Sequence, residues 1–242
     1  MNAIEVKGLS KQYKDVTAVN DLHLSIPAGE LFALLGVNGA GKTTLIKMLS
    51  CLTKPTSGDA LLMGKSICRE SGEVKALIGV SPQETAVAPG LTAAENLSLI
   101  CGAHGFSKGE TEKKVSEMLQ KMGLEDVKSK RAGKLSGGWQ RRLSIAMALI
   151  SEPRILFLDE PSLGLDVLAR SELWEAIRSL KGKITVILTT HYMEEAAALA
   201  DRIGVMAGGK LLCCGTLPEI LEKTGENNLE AAFIRIVRGD NA

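Results

Sequence analysis

The chain has no long apolar run. Across its 242 residues no stretch approaches the roughly 18 to 20 apolar residues that cross a bilayer. The opening "MNAIEVKGLS" has no apolar signal core. Both absences predict a chain that stays on the side of the membrane where it is made. Excess charge is missing too: 29 Lys and Arg against 28 Asp and Glu leave a net charge of +1. Such a balance gives no broad field for gathering nucleic acid or anionic lipid, so nucleic acid is not expected as a partner. The cysteines, Cys51, Cys68, Cys101, Cys213 and Cys214, are odd in number and show no CxxC spacing. That pattern suits a reducing compartment and argues against a disulfide framework or a zinc site. Internal repeats, low-complexity tracts and long linkers are also lacking. What remains is a composition 45% hydrophobic, ample for a buried core in one large or two small domains.

The order of elements is more informative. Residues 3 to 35 read as short β segments, "AIEVKGL", "VNDLHLSI" and "ELFALLG", with a turn at Pro27, Ala28 and Gly29 before the last. A helix, "KTTLIKMLSCL", follows, and "DALLMG" and "ALIGVS" read as strands. From residue 85 to about 150 strand signals give way to helical ones. "LTAAENLSLI" opens with a capping box, Thr92 and Glu95, and "ETEKKVSEMLQKMG" is an amphipathic helix stopped by Gly123, consistent with known cap chemistry. Strands return at "RILFLDE" and "KITVILTT", with the helix "ARSELWEAIRSLKG" between them; both are apolar enough for buried parallel strands. The expected fold class is α/β, with a mainly parallel sheet interrupted by a helical insert. Core segments at 1–84 and 153–220 flank an insert at 85–152, and residues 221–242 form a C-terminal appendage.

The chemistry begins at the end of the third strand. "GVNGAGKTT" fits G-x-x-x-x-G-K-[ST] through Gly36, Gly41, Lys42 and Thr43. Glycines let the backbone wrap an anion, successive N–H groups point inward, and the following helix adds its positive end. Asn38, Gly39, Ala40 and Thr44 complete the nucleotide-binding stretch. Lys42 is placed to reach the β- and γ-phosphates and Thr43 to ligand Mg²⁺. A second buried strand, "ILFLDEP", ends in Asp159 and Glu160, whose side chains point to opposite faces. Asp159 is expected to hold Mg²⁺, usually through water, and Glu160 to polarise the attacking water. A third element, "LSGGWQRR", opens a helix with Ser136, a good N-cap, followed by Gly137 and Gly138, which leave the first-turn N–H groups bare. It reads as another anion site.

A phosphate loop, a helical insert ending in LSGG, and an apolar strand ending in DEP resemble, in that order, the ATP-binding cassette (ABC) ATPases. The resemblance covers about residues 3 to 217. It implies a P-loop NTPase core with an N-terminal antiparallel β subdomain and an inserted all-helical subdomain. It also implies that ATP and Mg²⁺ are the cofactors. Tyr13, in "SKQYKDVTAV", stands where the family stacks an aromatic on adenine. Gln83, in "VSPQE", matches the glutamine that touches Mg²⁺ and water. Asp166, ending "SLGLD", matches the aspartate of a loop that crosses to a partner subunit, and His191 matches the switch histidine on the γ-phosphate. Two positions depart from the pattern: Val37 replaces the usual proline and Trp139 the usual glutamine.

The family places the second anion site on the γ-phosphate of ATP held by another subunit, giving a head-to-tail dimer around two ATPs. The resemblance therefore implies an ATPase subunit that drives separate transmembrane permease subunits and sits at the inner face of the cell membrane through them. The helix "HYMEEAAALADRIGVMAGGKLLCCGT" also resembles the drug- and polymer-export branch. An ABC ATPase without a transport role, in DNA repair, translation or cofactor assembly, is the alternative, but the long coiled-coil insertions and fused second cassettes of those members are absent. A regulatory cassette with a dead site is opposed by Lys42, Asp159, Glu160 and His191.

Overall fold

Two sheets face each other across a shared layer of apolar side chains. The structure is a computed structural model and describes residues 1–239. The first sheet is antiparallel, in the order β2-β1-β4-β5. It comprises β1 (Asn2–Tyr13), β2 (Val16–Pro27), β4 (Ser57–Leu62) and β5 (Lys65–Ser66). The second runs in the order β10-β9-β3-β8-β7-β6. Its members are β3 (Leu31–Leu35), β6 (Ile78–Ser81), β7 (Ile155–Asp159), β8 (Thr185–Thr190), β9 (Arg202–Ala207) and β10 (Lys210–Gly215). Every pairing in it is parallel except the hairpin of β9 and β10.

Strand alternation divides the interior. Phe32 and Leu34 of β3 and Ile155 and Phe157 of β7 point toward the antiparallel sheet and α1 (Lys42–Leu49). Their sequence neighbours Leu31, Ala33, Leu35, Leu156 and Leu158 point to the other face. That face is covered by α3 (Ala93–Ala103), α4 (Lys108–Lys121), α5 (Gly137–Leu149), α6 (Val167–Arg178) and α7 (Met193–Leu199). A side-chain period of two makes both faces of these strands apolar. Each fully buried Leu or Phe contributes about 1.5–3 kcal/mol. α2 (Ser71–Leu77) leads directly into β6, and α8 (Leu217–Thr224) and α9 (Leu229–Arg238) close the described chain. Leu229, Ala232 and Phe233 of α9 are buried; the last three residues of the expected appendage, 240–242, lie outside the described residues.

Several boundaries differ from expectation. Ala76 and Leu77 belong to α2, so the strand in "ALIGVS" starts only at Ile78. "DALLMG", read as a strand, lies in β4 of the antiparallel sheet. The segment read as one helix from His191 to Thr216 is helical only over Met193–Leu199. Ala200 is extended, Ile203 to Met206 are all buried in β9, and Gly208 and Gly209, both at positive φ, turn the chain into β10. Burial on both faces erases the alternation that marks a half-exposed strand. Elsewhere the expected cap is present: Thr92 and Glu95 form the capping box of α3. Ser107 and Glu110 do the same for α4. Between β6 and β7 the described residues contain helices and short 3₁₀ turns but no strand.

Candidate functional site

The carboxyl ends of β3, β7 and β8 converge, as expected for ligand sites of open parallel sheets. After β3 the chain wraps back into α1, whose N-cap is Gly41 with φ 102°. This is left-handed backbone that glycine adopts without strain. A Cβ at Gly41 would also lie 2.2 Å from the Ala18 carbonyl oxygen, so side chains are excluded. Lys42, almost fully buried, folds over the loop and donates to the carbonyls of Gly36 (2.7 Å) and Val37 (3.2 Å). Its ammonium is 3.3 Å from Glu160 Oε1. Thr43 Oγ1 donates to Asp159 Oδ1 at 3.2 Å, and Thr189 Oγ1 donates to the same oxygen at 2.5 Å.

Glu160 follows β7 with φ 50°, a left-handed backbone unusual for a side chain with a Cβ. Thr189 holds it there, accepting from the Glu160 N–H through both Oγ1 and its carbonyl, each at 3.1 Å. The Glu160 side chain then meets His191 Nδ1 at 2.5 Å. A cleft of about 510 Å³ brings Tyr13, the loop from Asn38 to Thr44, Gln83 and Glu160 together. Tyr13 is 44% exposed at the end of β1, and the Lys11 ammonium lies 5.0 Å from its ring centroid.

The third expected element lies elsewhere. Ser136, Gly137 and Gly138 do not line the cleft. Ser136 and Gly137 are exposed at the start of α5, where Ser136 is the N-cap by position but its side chain makes no capping bond. The first α5 amide returned to the helix is that of Gln140, bonded to Ser136 O at 2.9 Å. Its predecessors therefore point outward. A Cβ on Gly138 would come to 3.0 Å of the Ala169 Cβ, so α5 and α6 meet at their N-termini. Asp166 is exposed there and caps α6, accepting from the Leu168 and Ala169 amides at 3.0 and 2.9 Å. Trp139 is half-buried, with the Arg142 guanidinium 5.1 Å from its ring centroid. Val37 is half-exposed on the phosphate loop, where its carbonyl, available with any residue, receives Lys42.

Sequence reasoning missed Arg141. This side chain of α5 is 3% exposed and donates to four carbonyls: Pro82 (2.5 Å), Gln83 (3.2 Å), Asp159 (2.5 Å) and Pro161 (2.9 Å). One guanidinium thus ties the helix that starts at Ser136 to the strand ends carrying Gln83 and Asp159. Burial pulls its pKa down to about 10, against the pull of Asp159, Glu195 and Glu160, so it stays charged at neutral pH. A signal was present: Arg141, Ile145 and Leu149 are buried at i, i+4 and i+8, one face of a helix, and a cation on an apolar face demands partners.

Comparison with known proteins bears on this geometry. The family model described as ABC transporter matches residues 19–163. Human phospholipid-transporting ATPase ABCA3 is 41% identical over 226 residues, covering 92% of this chain but 13% of that protein. The daunorubicin resistance ATP-binding protein DrrA3 of Streptomyces coeruleorubidus is 40% identical over 232 residues, covering 96% of this chain and 73% of that one. Among solved structures, a dimeric post-hydrolysis state of the ATP-binding cassette MJ0796, bound to ADP and Pi, superposes with TM-score 0.80 at 28% identity. It covers 88% of this chain and 98% of that chain. By the extent of the family match and of these relatives, the chain belongs to the ABC transporter family.

Proposed function

We propose that the chain is an ATP-hydrolysing subunit that drives separate transmembrane subunits of an exporter. The observation that carries the proposal is the split of phosphate-binding groups between two surfaces. Lys42, Glu160 and the loop before α1 share one cleft, while the bare amides at Ser136 to Gly138 face outward from another part of the chain. A second copy, or a related cassette, set head to tail would bring each set onto the other's ATP. A γ-phosphate shared by both chains favours the closed dimer, and its loss on hydrolysis releases it.

Placement supports a role for each residue. Tyr13 offers a π-face to adenine. Backbone amides of the 36–44 loop and Lys42 take the phosphates. Thr43 and Asp159 present a hydroxyl and a carboxylate 3.2 Å apart, hard oxygen donors that fit Mg²⁺. No group of three or more His, Cys, Asp or Glu converges among the described residues, so the ion would complete its shell with Gln83, phosphate and water, as Mg²⁺ commonly does. When bound, it would neutralise developing phosphate charge. Glu160 orients and deprotonates the attacking water, His191 contacts the γ-phosphate, and Asp166 reaches the partner.

The domain division proposed is a nucleotide-binding core at 1–84 and 153–220, a helical subdomain at 85–152 and an appendage from 221. A cleft of about 230 Å³ between β6, α3 and α5, with Ile78, Val80, Ile100 and Met147 in its lining, suits a helix of a permease at the inner face of the membrane. Similarity to a daunorubicin resistance protein and to a phospholipid-transporting ATPase supports the export direction.

Glu160→Gln tests the reading. It should bind ATP, form a trapped dimer in size-exclusion chromatography with light scattering, and lose turnover by about 10²–10⁴-fold, the range for a lost general base. A monomer at saturating ATP with normal hydrolysis refutes the composite site. Purified from solubilised membranes with ATP, the same variant should bring a hydrophobic protein partner; recovery only of soluble assemblies refutes the transporter reading.

A further inference from the structure

Five acidic or basic side chains are buried among the described residues: Lys42, Arg141, Asp159, Glu160 and Glu195. Of these, Glu195 alone takes no part in the phosphate cleft or its anchoring to α5. It lies on α7, four residues after His191, with 0% exposure. Its Oε1 accepts from the indole Nε1–H of Trp174 on α6 at 3.1 Å. Its Oε2 is sealed from solvent with no partner in hydrogen-bonding geometry, and so is the hydroxyl of Ser162, in the loop between Glu160 and Asp166. The hydroxyls of Ser162 and Thr190 border the carboxyl; Thr190 Oγ1 accepts from the Tyr192 N–H at 2.9 Å and keeps its own proton to donate.

Charge decides the state of this group. The two buried cations, Lys42 and Arg141, are matched by the two carboxylates Asp159 and Glu160, and Arg141 spends its bonds on carbonyls. An ionised Glu195 would be a third buried anion with no cation in contact, which is strongly unfavourable. Burial pushes its carboxyl pKa above the ordinary range, reinforced by Glu160 and opposed by the Trp174 bond and the nearby Thr190 and Ser162 hydroxyls. The charged groups around it are Arg141 on α5 and Glu160 after β7. Beyond the Trp174 ring lies Arg170, itself 3.8 Å from Glu194.

We propose that Glu195 is an un-ionised carboxylic acid, its carbonyl oxygen held by Trp174 and its proton given to Ser162 Oγ, acting as a positioning residue between the 161–166 loop and the His191 turn. Both buried polar atoms left open are then satisfied by each other after a small side-chain rotation. This joint rests on the composite-site reading, because the loop it braces carries Asp166 toward the partner while the turn carries the switch histidine. It would keep the partner-facing loop in register with the histidine of the same chain.

Glu195→Gln keeps one donor and one acceptor in the shape of the neutral acid. Glu195→Leu keeps the volume and loses both. Steady-state ATPase assays on the full chain should give Gln a kcat within about twofold of the parent and Leu a kcat at least about tenfold lower. KM for ATP should hold within about threefold in both, since a group outside the cleft acts on turnover rather than on binding. Parental kcat in Leu, or equal damage in Gln and Leu, overturns the proposal; equal damage would mean that the ionised form is the working one. Should the Leu variant fail to fold, infrared difference spectra decide. A protonated-carboxyl band at neutral pH that Glu195→Gln removes supports the proposal, and its absence refutes it. Glu160→Gln in parallel separates the two readings: a trapped dimer there with an indifferent Glu195→Leu sinks only this inference.

Discussion

Replacing Arg141 with Met removes a buried guanidinium while keeping most of the apolar stem. Four carbonyls, of Pro82, Gln83, Asp159 and Pro161, lose their charged donor at once. A buried acceptor left short costs roughly 1 kcal/mol at the low end, so four together cost about 4 kcal/mol, within the range measured for breaking buried charge networks. Relief of guanidinium desolvation, visible in its pKa lowered to about 10, offsets part of this, so about 4 kcal/mol is the upper bound of the loss. Against a typical stability of about 5–15 kcal/mol the loss is large but survivable. Urea unfolding should show it as a lower midpoint with unchanged slope. Arg141 does not line the cleft, so ATP affinity should hold while turnover falls, because Gln83 and Asp159 lose their common anchor to α5. Arg141→Lys should recover only part of the stability, since an ammonium lacks the planar fork. A Met variant within about 0.5 kcal/mol of the parent, the scale of neutral surface changes, and equally active would refute the claim that this side chain couples the helix to the strand ends.

Gly79 of β6 sits so close to α5 that a Cβ would lie 2.1 Å from the Ala148 carbonyl oxygen; Gly79→Ala should cost about 1–3 kcal/mol by urea unfolding, and parental stability would disprove the close approach. Trp139→Gln gives up the Arg142 contact, a loss of about 1 kcal/mol, and should leave ATPase activity intact; abolished activity would mean the indole itself meets nucleotide. Glu195 makes a pH test. A carboxyl pKa raised by folding means the folded chain holds a proton that the unfolded chain releases. Its contribution is complete below the ordinary carboxylate pKa and is lost as pH rises through the raised folded value. The parent should therefore lose stability relative to Glu195→Gln across that window, and a gap independent of pH would count against a buried neutral acid.

The local motifs were legible because each is fixed by backbone chemistry within a few residues. "GVNGAGKTT" declares its loop through glycines and the lysine, and "ILFLDEP" declares a buried strand closed by two carboxylates. What stayed hidden depends on contacts distant in sequence. Arg141 finds acceptors 59, 58, 20 and 18 residues away, and only its place on the apolar face of α5 hints at them. The segment after His191 failed for the opposite reason: from Ile203 to Met206 every residue is buried, so periodicity no longer separates strand from helix. The β1 and β2 strands are each twelve residues, longer than the short runs visible in sequence. Their pairing tolerates register shifts near Leu9 and Lys11, so alternation is interrupted without the strand ending.

Glu160 brings these threads to one atom group. Its backbone is held left-handed by Thr189, while its carboxylate is engaged by Lys42 at 3.3 Å on one oxygen and by His191 at 2.5 Å on the other. Both partners are donors that a γ-phosphate would claim, since a phosphate offers more charge and more acceptor oxygens than a carboxylate. A base tied to Lys42 and His191 has little freedom to take a proton from water. Phosphate binding, by drawing those donors away, would free Glu160 only when there is something to hydrolyse. On the proposed roles, the residues that would recognise the phosphate also restrain the base, so recognition and activation would be one event. The backbone at Glu160, held by Thr189, would keep a released carboxylate aimed at the same place.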